Sequence, residues 1–204
     1  MRLALGHGPE VVDVARRLGV NSALAVPEVG LALGAAEIRL VELTAAYAGI
    51  ANGGRRVAPR GVAEVRDNLD RVRWCGAKDR PPARAAVSAG HARAAREMLA
   101  EVVRSGTGQR ADPGFFAAGK TGTTDESRDA WFVGFTDRFV AGVWIGNERR
   151  APMRGVTRAG LPAEIWGALM RRLHDLGRMP LPGCAAAVLD PMPAAGPAAG
   201  PAGR

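Results

Sequence analysis

The stretch GFFAAGKTGTTDESRDAWFVGF, Gly114 to Phe135, carries two incompatible patterns. Gly114 through Thr121 fits G-x-x-x-x-G-K-[ST], the spacing of phosphate-cradling loops in nucleotide hydrolases. Moved by a few residues, Lys120-Thr121-Gly122-Thr123-Thr124 is a K-T-G element within a β-branched run that favours extended chain. A phosphate loop needs a buried strand before it and a helix starting at its Lys-Thr, because helix-terminal N–H groups hold the anion. The preceding residues, SGTGQRADPG, are polar and rich in Gly and Pro. Phe115 and Phe116 stand where backbone N–H groups would have to wrap a phosphate, and Lys120 leads into poor helix formers. The context rejects the phosphate loop and leaves the K-T-G strand.

The segments on either side fit that strand. AWFVGFTDRFVAGVWIGN reads as two apolar strands joined by a tight turn at Thr136-Asp137-Arg138. LPAEIWGALMRRLHDLG follows as an amphipathic helix with Ile165, Trp166, Leu169, Met170 and Leu173 on one side. Upstream, SAGHARAAREMLAEVVRSG is helical, with Ser88 or His91 near its start, Met98, Leu99, Val102 and Val103 as its stripe, and Gly106 as its stop. GTGQRADPG reads as a loop, with Gly106-Thr107-Gly108 a turn rather than a site. Val62, Val65, Val72 and Trp74 flank DNLD and predict a hairpin. GPEVVDVARRLGV and AAEIRLVELTAAYAGIANGG read as helices, and NSALAVPEVGLALG between them as loop. Residues 176–204, punctuated by Pro and rich in Ala and Gly, read as a disordered tail.

Composition narrows the function. The 204 residues are 47% hydrophobic, enough for a real core in one domain or one large piece of a bigger one. No run of about 18 apolar residues occurs, and the chain shows no export signal or membrane anchor of its own. The formal charge of +8 suits an anionic surface, but its basic residues are scattered and there is a single Tyr, which argues against nucleic-acid recognition. Cys75 and Cys184 lack a framework or metal-ligand spacing and read as unpaired thiols. His7, His91 and His174 read as surface or helix-end residues. No metal or other cofactor is implied.

The order GTG, AGKTGTTDESRDAWFVGF, VAGVWIGN, GLPAEIWGALM resembles the C-terminal part of the transpeptidase domain of class A bifunctional penicillin-binding proteins. LALGAAEIRLVELTAAYAGIANGG adds to the resemblance, which covers residues 3 to 175. It implies an α+β fold: the C-terminal half of a serine β-lactamase/transpeptidase-like domain, with antiparallel strands, an accessory hairpin and flanking helices. It also implies D,D-transpeptidation in cell-wall synthesis, in which a serine attacks a D-Ala-D-Ala peptide bond and the acyl group passes to an amine of a second stem peptide. Peptidoglycan stem peptides and β-lactams would be the partners. The parent protein would also carry a glycosyltransferase domain and be anchored at the periplasmic face of the inner membrane.

Carried onto this chain, the resemblance gives Lys120 a charge beside the second-motif serine. Thr121 and Thr123 would offer hydroxyls to the substrate carboxylate, Gly122 a bare strand edge, and the Thr123 N–H an oxyanion-hole contact, with Thr124 completing the substrate-binding run. Asp129, Trp131 and Phe132 are expected to pack and orient the strands. Ser22, Ser88, Ser105 and Ser127 all lack a lysine three residues on, so S-x-x-K is missing, as is S-x-N. These absences lead to the expectation of a C-terminal fragment, catalytically incomplete. The competing expectation is a non-catalytic piece that binds wall polymer or a partner protein.

Overall fold

The computed structural model describes residues 6–76, 82–123, 128–147, 149, 151–153 and 160–177. They fall into two compact units, one drawn from residues 1–59 and 82–178 and a smaller one holding residues 60–81.

The larger unit is built on the apolar strands that follow the K-T-G element. β3 (Ala118–Thr123), β4 (Asp129–Phe135) and β5 (Val140–Gly146) form an antiparallel sheet in the order β3-β4-β5, where β1 and β2 denote the smaller unit's Glu64–Arg66 and Val72–Cys75. Lys120 lies opposite Val133, Thr121 opposite Phe132, and Phe132 opposite Val143. The β4–β5 turn is tied by Thr136, whose Oγ1 accepts the N–H groups of Arg138 and Phe139. Side chains alternate between the faces of a strand. Thr121, Thr123, Phe132, Gly134 and Val143 therefore share one face, and Lys120, Gly122, Trp131, Val133 and Gly142 the other.

The helices are α1 (Gly8–Leu18), α2 (Glu28–Leu33), α3 (Leu40–Ala51), α4 (Ala89–Arg104) and α5 (Leu161–Asp175), of which α3, α4 and α5 pack on the sheet and α1 on α3. On the Phe132 face, the core joins Val103 of α4, Ala111, Phe132, and Ala163, Trp166 and Met170 of α5. Trp166 is fully buried, meets the Phe132 ring at a tilt with centroids 5.1 Å apart and donates its indole N–H to the Ala141 carbonyl at 3.0 Å. On the other face α3 comes so close that a Cβ at Gly142 would lie 2.4 Å from Thr44 Oγ1. A second core holds Leu18, Val20, Leu24, Ala46 and Ala86. Beside it Glu42 pins the chain entering α2: its Oε2 accepts Ser22 Oγ at 2.7 Å and the N–H groups of Ser22 and Asn21, and Arg39 pairs with Oε1. The Ser22 hydroxyl, then the two N–H groups and Arg39, hold the Glu42 carboxyl below its ordinary value against burial, which acts the other way. Ser88 caps α4 by accepting the His91 N–H at 3.1 Å.

In the smaller unit β1 and β2 pair antiparallel around the DNLD turn. Asp67 organises that turn by accepting the N–H groups of Leu69 and Arg71, and Asp70 takes a φ of 59°.

The α+β architecture agrees with the expectation, and four details correct it. α2 occupies part of the segment read as loop; two glycines in so short a stretch hide its periodicity. Cys75 is disulfide-bonded rather than a free thiol; a single bridge leaves no spacing pattern to read. Ile165 and Leu169 of α5 are 43% and 39% exposed, because the buried face is the narrower line of Pro162, Ala163, Trp166, Gly167 and Met170. Met98 of α4 is likewise exposed. The proposed tail lies outside the described residues beyond Gly177.

Candidate active site

Within the sheet β3 is an edge strand, flanked by β4 on one side only. Its residues become more accessible along the strand: Ala118 and Gly119 are buried, Lys120 is exposed, and Thr121, Gly122 and Thr123 are partly exposed. Lys120 and Thr121 start on opposite faces, yet the flexible Lys stem curls over the edge. Its Nζ donates to the Thr121 carbonyl at 2.8 Å and reaches the Thr121 hydroxyl at 3.4 Å. That carbonyl therefore points away from β4. In an antiparallel pair the N–H and C=O of one residue share a direction, and the direction reverses at the next. The backbone groups of Thr121 and Thr123 thus turn to the same outer edge, and those of Gly122 to β4.

The two glycines of the strand differ in what surrounds them. A Cβ on Gly119 would sit 2.6 Å from the Phe132 ring and 2.8 Å from the Val133 carbonyl. A Cβ on Gly122 would meet only the Trp131 side chain, at 3.4 Å, an ordinary contact. Packing demands Gly119 and leaves Gly122 free.

Sequence reading missed Thr107. Its hydroxyl lies 2.9 Å from that of Thr121, so Gly106-Thr107-Gly108 is more than a turn before the strand. A contact across fourteen residues between two hydroxyls leaves no periodic signal. The structure thus brings together Lys120, Thr121 and Thr107, with Gly122 and Thr123 further along the edge; Thr124 lies outside the described residues. Asp129, Trp131 and Phe132 serve the sheet: Asp129 accepts the Trp144 indole N–H at 2.7 Å, Trp131 meets Trp144 edge-on, and Phe132 is fully buried. The described serines are committed elsewhere, Ser22 to Glu42, Ser88 to the α4 cap and Ser105 to Glu101.

An edge strand bearing K-T-G, backed by an antiparallel hairpin and a C-terminal helix, is the layout of a class of α+β domains, the penicillin-binding transpeptidase-like domains. The chain belongs within it to the family of the penicillin binding protein transpeptidase domain, whose model matches residues 21–154. It is similar to penicillin-binding protein 1A of Aquifex aeolicus, 36% identical over 160 residues that make up 76% of this chain and 21% of the relative. It is also similar to penicillin-binding protein 1A of Neisseria meningitidis serogroup A, 32% identical over 179 residues, 84% of this chain and 22% of the relative. The chain therefore spans about a fifth of the length of these relatives. Among solved structures, the Mycobacterium tuberculosis PonA1 protein in complex with penicillin V superposes with a TM-score of 0.71 at 24% identity, over 89% of this chain and 55% of that one. Penicillin-binding protein 1A of Haemophilus influenzae does so with 0.66 at 23% identity, over 95% and 36%. Both support the α+β fold.

Proposed function

We propose that the chain supplies the K-T-G edge of a serine-type D,D-transpeptidase that cross-links peptidoglycan stem peptides and is acylated by β-lactams. The supporting observation is the outer edge of β3, where an ammonium, a hydroxyl and a glycine that packing does not require stand together. Lys120 carries the positive charge that favours ionisation beside it and hydrogen-bonds the second-motif serine. Thr121 and Thr123 bind the terminal carboxylate, and the Thr123 N–H is one of two oxyanion donors. Gly122 lets substrate approach the strand. The donor peptide loses its terminal D-Ala as the serine ester forms, and the amine of a second stem peptide takes the acyl group.

The nucleophile comes from an S-x-x-K segment outside these residues, so the chain is catalytically incomplete by itself. In this reading, residues 1–175 form the C-terminal portion of the domain. The parent polypeptide also bears a glycosyltransferase domain and works at the periplasmic face of the inner membrane. Among the described residues no helix is long and apolar enough to cross a membrane.

The test uses fluorescent penicillin on two polypeptides: the 204-residue chain, and the same chain fused behind the S-x-x-K and S-x-N segment of a relative. The fusion takes covalent label at the S-x-x-K serine and the chain alone takes none. A folded fusion that stays unlabelled overturns the proposal and favours a non-catalytic wall-polymer or partner-binding role.

A further inference from the structure

We infer that Thr107 is a positioning residue for the β3 edge, acting through the hydroxyl of Thr121. The inference rests on the transpeptidase reading and adds to it a residue that the K-T-G pattern does not contain. Thr107 is presented by a rigid clamp. Gly106 N–H donates to the Glu101 carbonyl at 3.2 Å and Gly108 N–H to the Val102 carbonyl at 2.9 Å, so the tripeptide wraps the end of α4. A side chain on Gly106 would force something to shift, and one on Gly108 would be tight. A Cβ on Gly106 would lie 2.9 Å from Val102 Cα, and one on Gly108 would lie 3.1 Å from the Val102 carbonyl and 3.3 Å from the Phe132 ring. The same Phe132 lies opposite Thr121 in the sheet. One buried ring therefore sets the distance between the clamp and the strand, and the two hydroxyls meet at 2.9 Å.

The chemistry follows from counting hydrogens. A threonine hydroxyl has one hydrogen to give and two lone pairs to receive with. Thr121 Oγ1 lies 3.4 Å from the Lys120 ammonium, which only donates. With no anion bound, either hydroxyl can give its hydrogen to the other. When a carboxylate arrives, the Thr121 hydrogen turns to it and the Thr107 hydrogen turns to Thr121. No bond to carbon or nitrogen changes, and every hydroxyl keeps a partner in both states. Thr107 thereby holds Thr121 in the rotamer that faces the anion, donating to its oxygen while the Thr121 hydrogen is given to the carboxylate.

The test measures binding (Ks) and acylation (k2) separately with fluorescent penicillin on the fusion described above, in which Lys120→Ala first verifies the K-T-G reading. Thr107→Val, equal in shape, weakens Ks by about five- to tenfold, the loss of one hydrogen bond, while k2 stays within about twofold. Thr107→Ser returns Ks to the starting value. In the Thr107→Val/Thr121→Val pair the losses are not additive, and the double variant binds as Thr121→Val does. An unlabelled wild-type fusion, or a rate indifferent to Lys120→Ala, overturns the underlying reading. A Lys120-dependent fusion in which Thr107→Val leaves Ks unchanged, weakens binding and lowers k2 together, or adds fully to Thr121→Val overturns the role of Thr107 alone.

Discussion

Gly119 and Gly122 lie on one strand and separate packing from function at the scale of single residues. Gly119→Ala forces a methyl into the Phe132 ring and the Val133 carbonyl, and should destabilise by about 1–3 kcal/mol in urea unfolding. Gly122→Ala adds an ordinary contact with Trp131, so stability should change by less than about 1 kcal/mol. In the fusion, Gly122→Ala should nevertheless slow penicillin acylation if substrate lies along β3 as proposed, because the methyl adds bulk to the face of the strand beside it. Equal acylation by the wild type and this variant would refute the placement of substrate along β3. Lys120 makes the complementary case. Its ammonium contacts only Thr121 in the described structure, so Lys120→Ala should leave the melting temperature nearly unchanged. It should lower second-order acylation by about a hundredfold, a charge-assisted contact within a reacting site being lost. An unaltered acylation rate would remove Lys120 from the site.

At the scale of elements, α5 shows how far a hydrophobic pattern can be trusted. Ile165 and Trp166 are neighbours in the same apolar run, but only Trp166 enters the core, against Phe132 and the Ala141 carbonyl. Trp166→Ala should cost about 3–5 kcal/mol, whereas Ile165→Ala should stay within about 1 kcal/mol; similar losses at both positions would contradict the burial. The α2–α3 corner gives a pH prediction. Hydrogen bonds from Ser22 and Asn21 and the charge of Arg39 depress the Glu42 carboxyl in the folded chain. The stability that Glu42 contributes is therefore fully present above the unfolded value of about 4.3 and is lost as pH falls through the lower folded value. The stability gap between wild type and Glu42→Gln should close over that acid range, and a gap independent of pH would exclude the charged network. The strands, α1, the DNLD hairpin and the start of α4 near Ser88 or His91 were legible because apolar runs, turn residues and helix-start residues are local signals. α2 and the buried line of α5 were not, since they depend on which side a neighbouring element approaches from. The site divides in the same way: Lys120, Thr121, Gly122 and Thr123 are a contiguous motif, while Thr107 reaches Thr121 only after α4 and β3 have packed.

For the whole molecule, the rejected phosphate loop and the proposed division of the site between two segments call for separate experiments. Gly114 through Thr121 satisfies the phosphate-loop spacing in full, yet Ala118–Thr123 is strand, with no helix beginning at Lys120. A ligand that binds only the native state must stabilise it, so neither ATP nor GTP with Mg²⁺ should raise the melting temperature; a concentration-dependent rise would reverse the choice of pattern. The nucleophile leads to a stronger claim. None of the four serines stands three residues before a lysine, and Ser22, Ser88 and Ser105 already serve Glu42, a helix cap and Glu101. An unactivated hydroxyl does not open a β-lactam ring, since the serine needs an adjacent base. The larger unit nevertheless has its own cores around Trp166 and around Leu18, so the β3 edge has a folded scaffold to stand on. Mixed with a separately expressed S-x-x-K and S-x-N segment, the 204-residue chain should confer labelling by fluorescent penicillin on that segment's serine, and Lys120→Ala in the chain should abolish it. Label mapped to a serine of the 204-residue chain itself would show that the nucleophile lies within this sequence and that the division of the site between two segments is wrong.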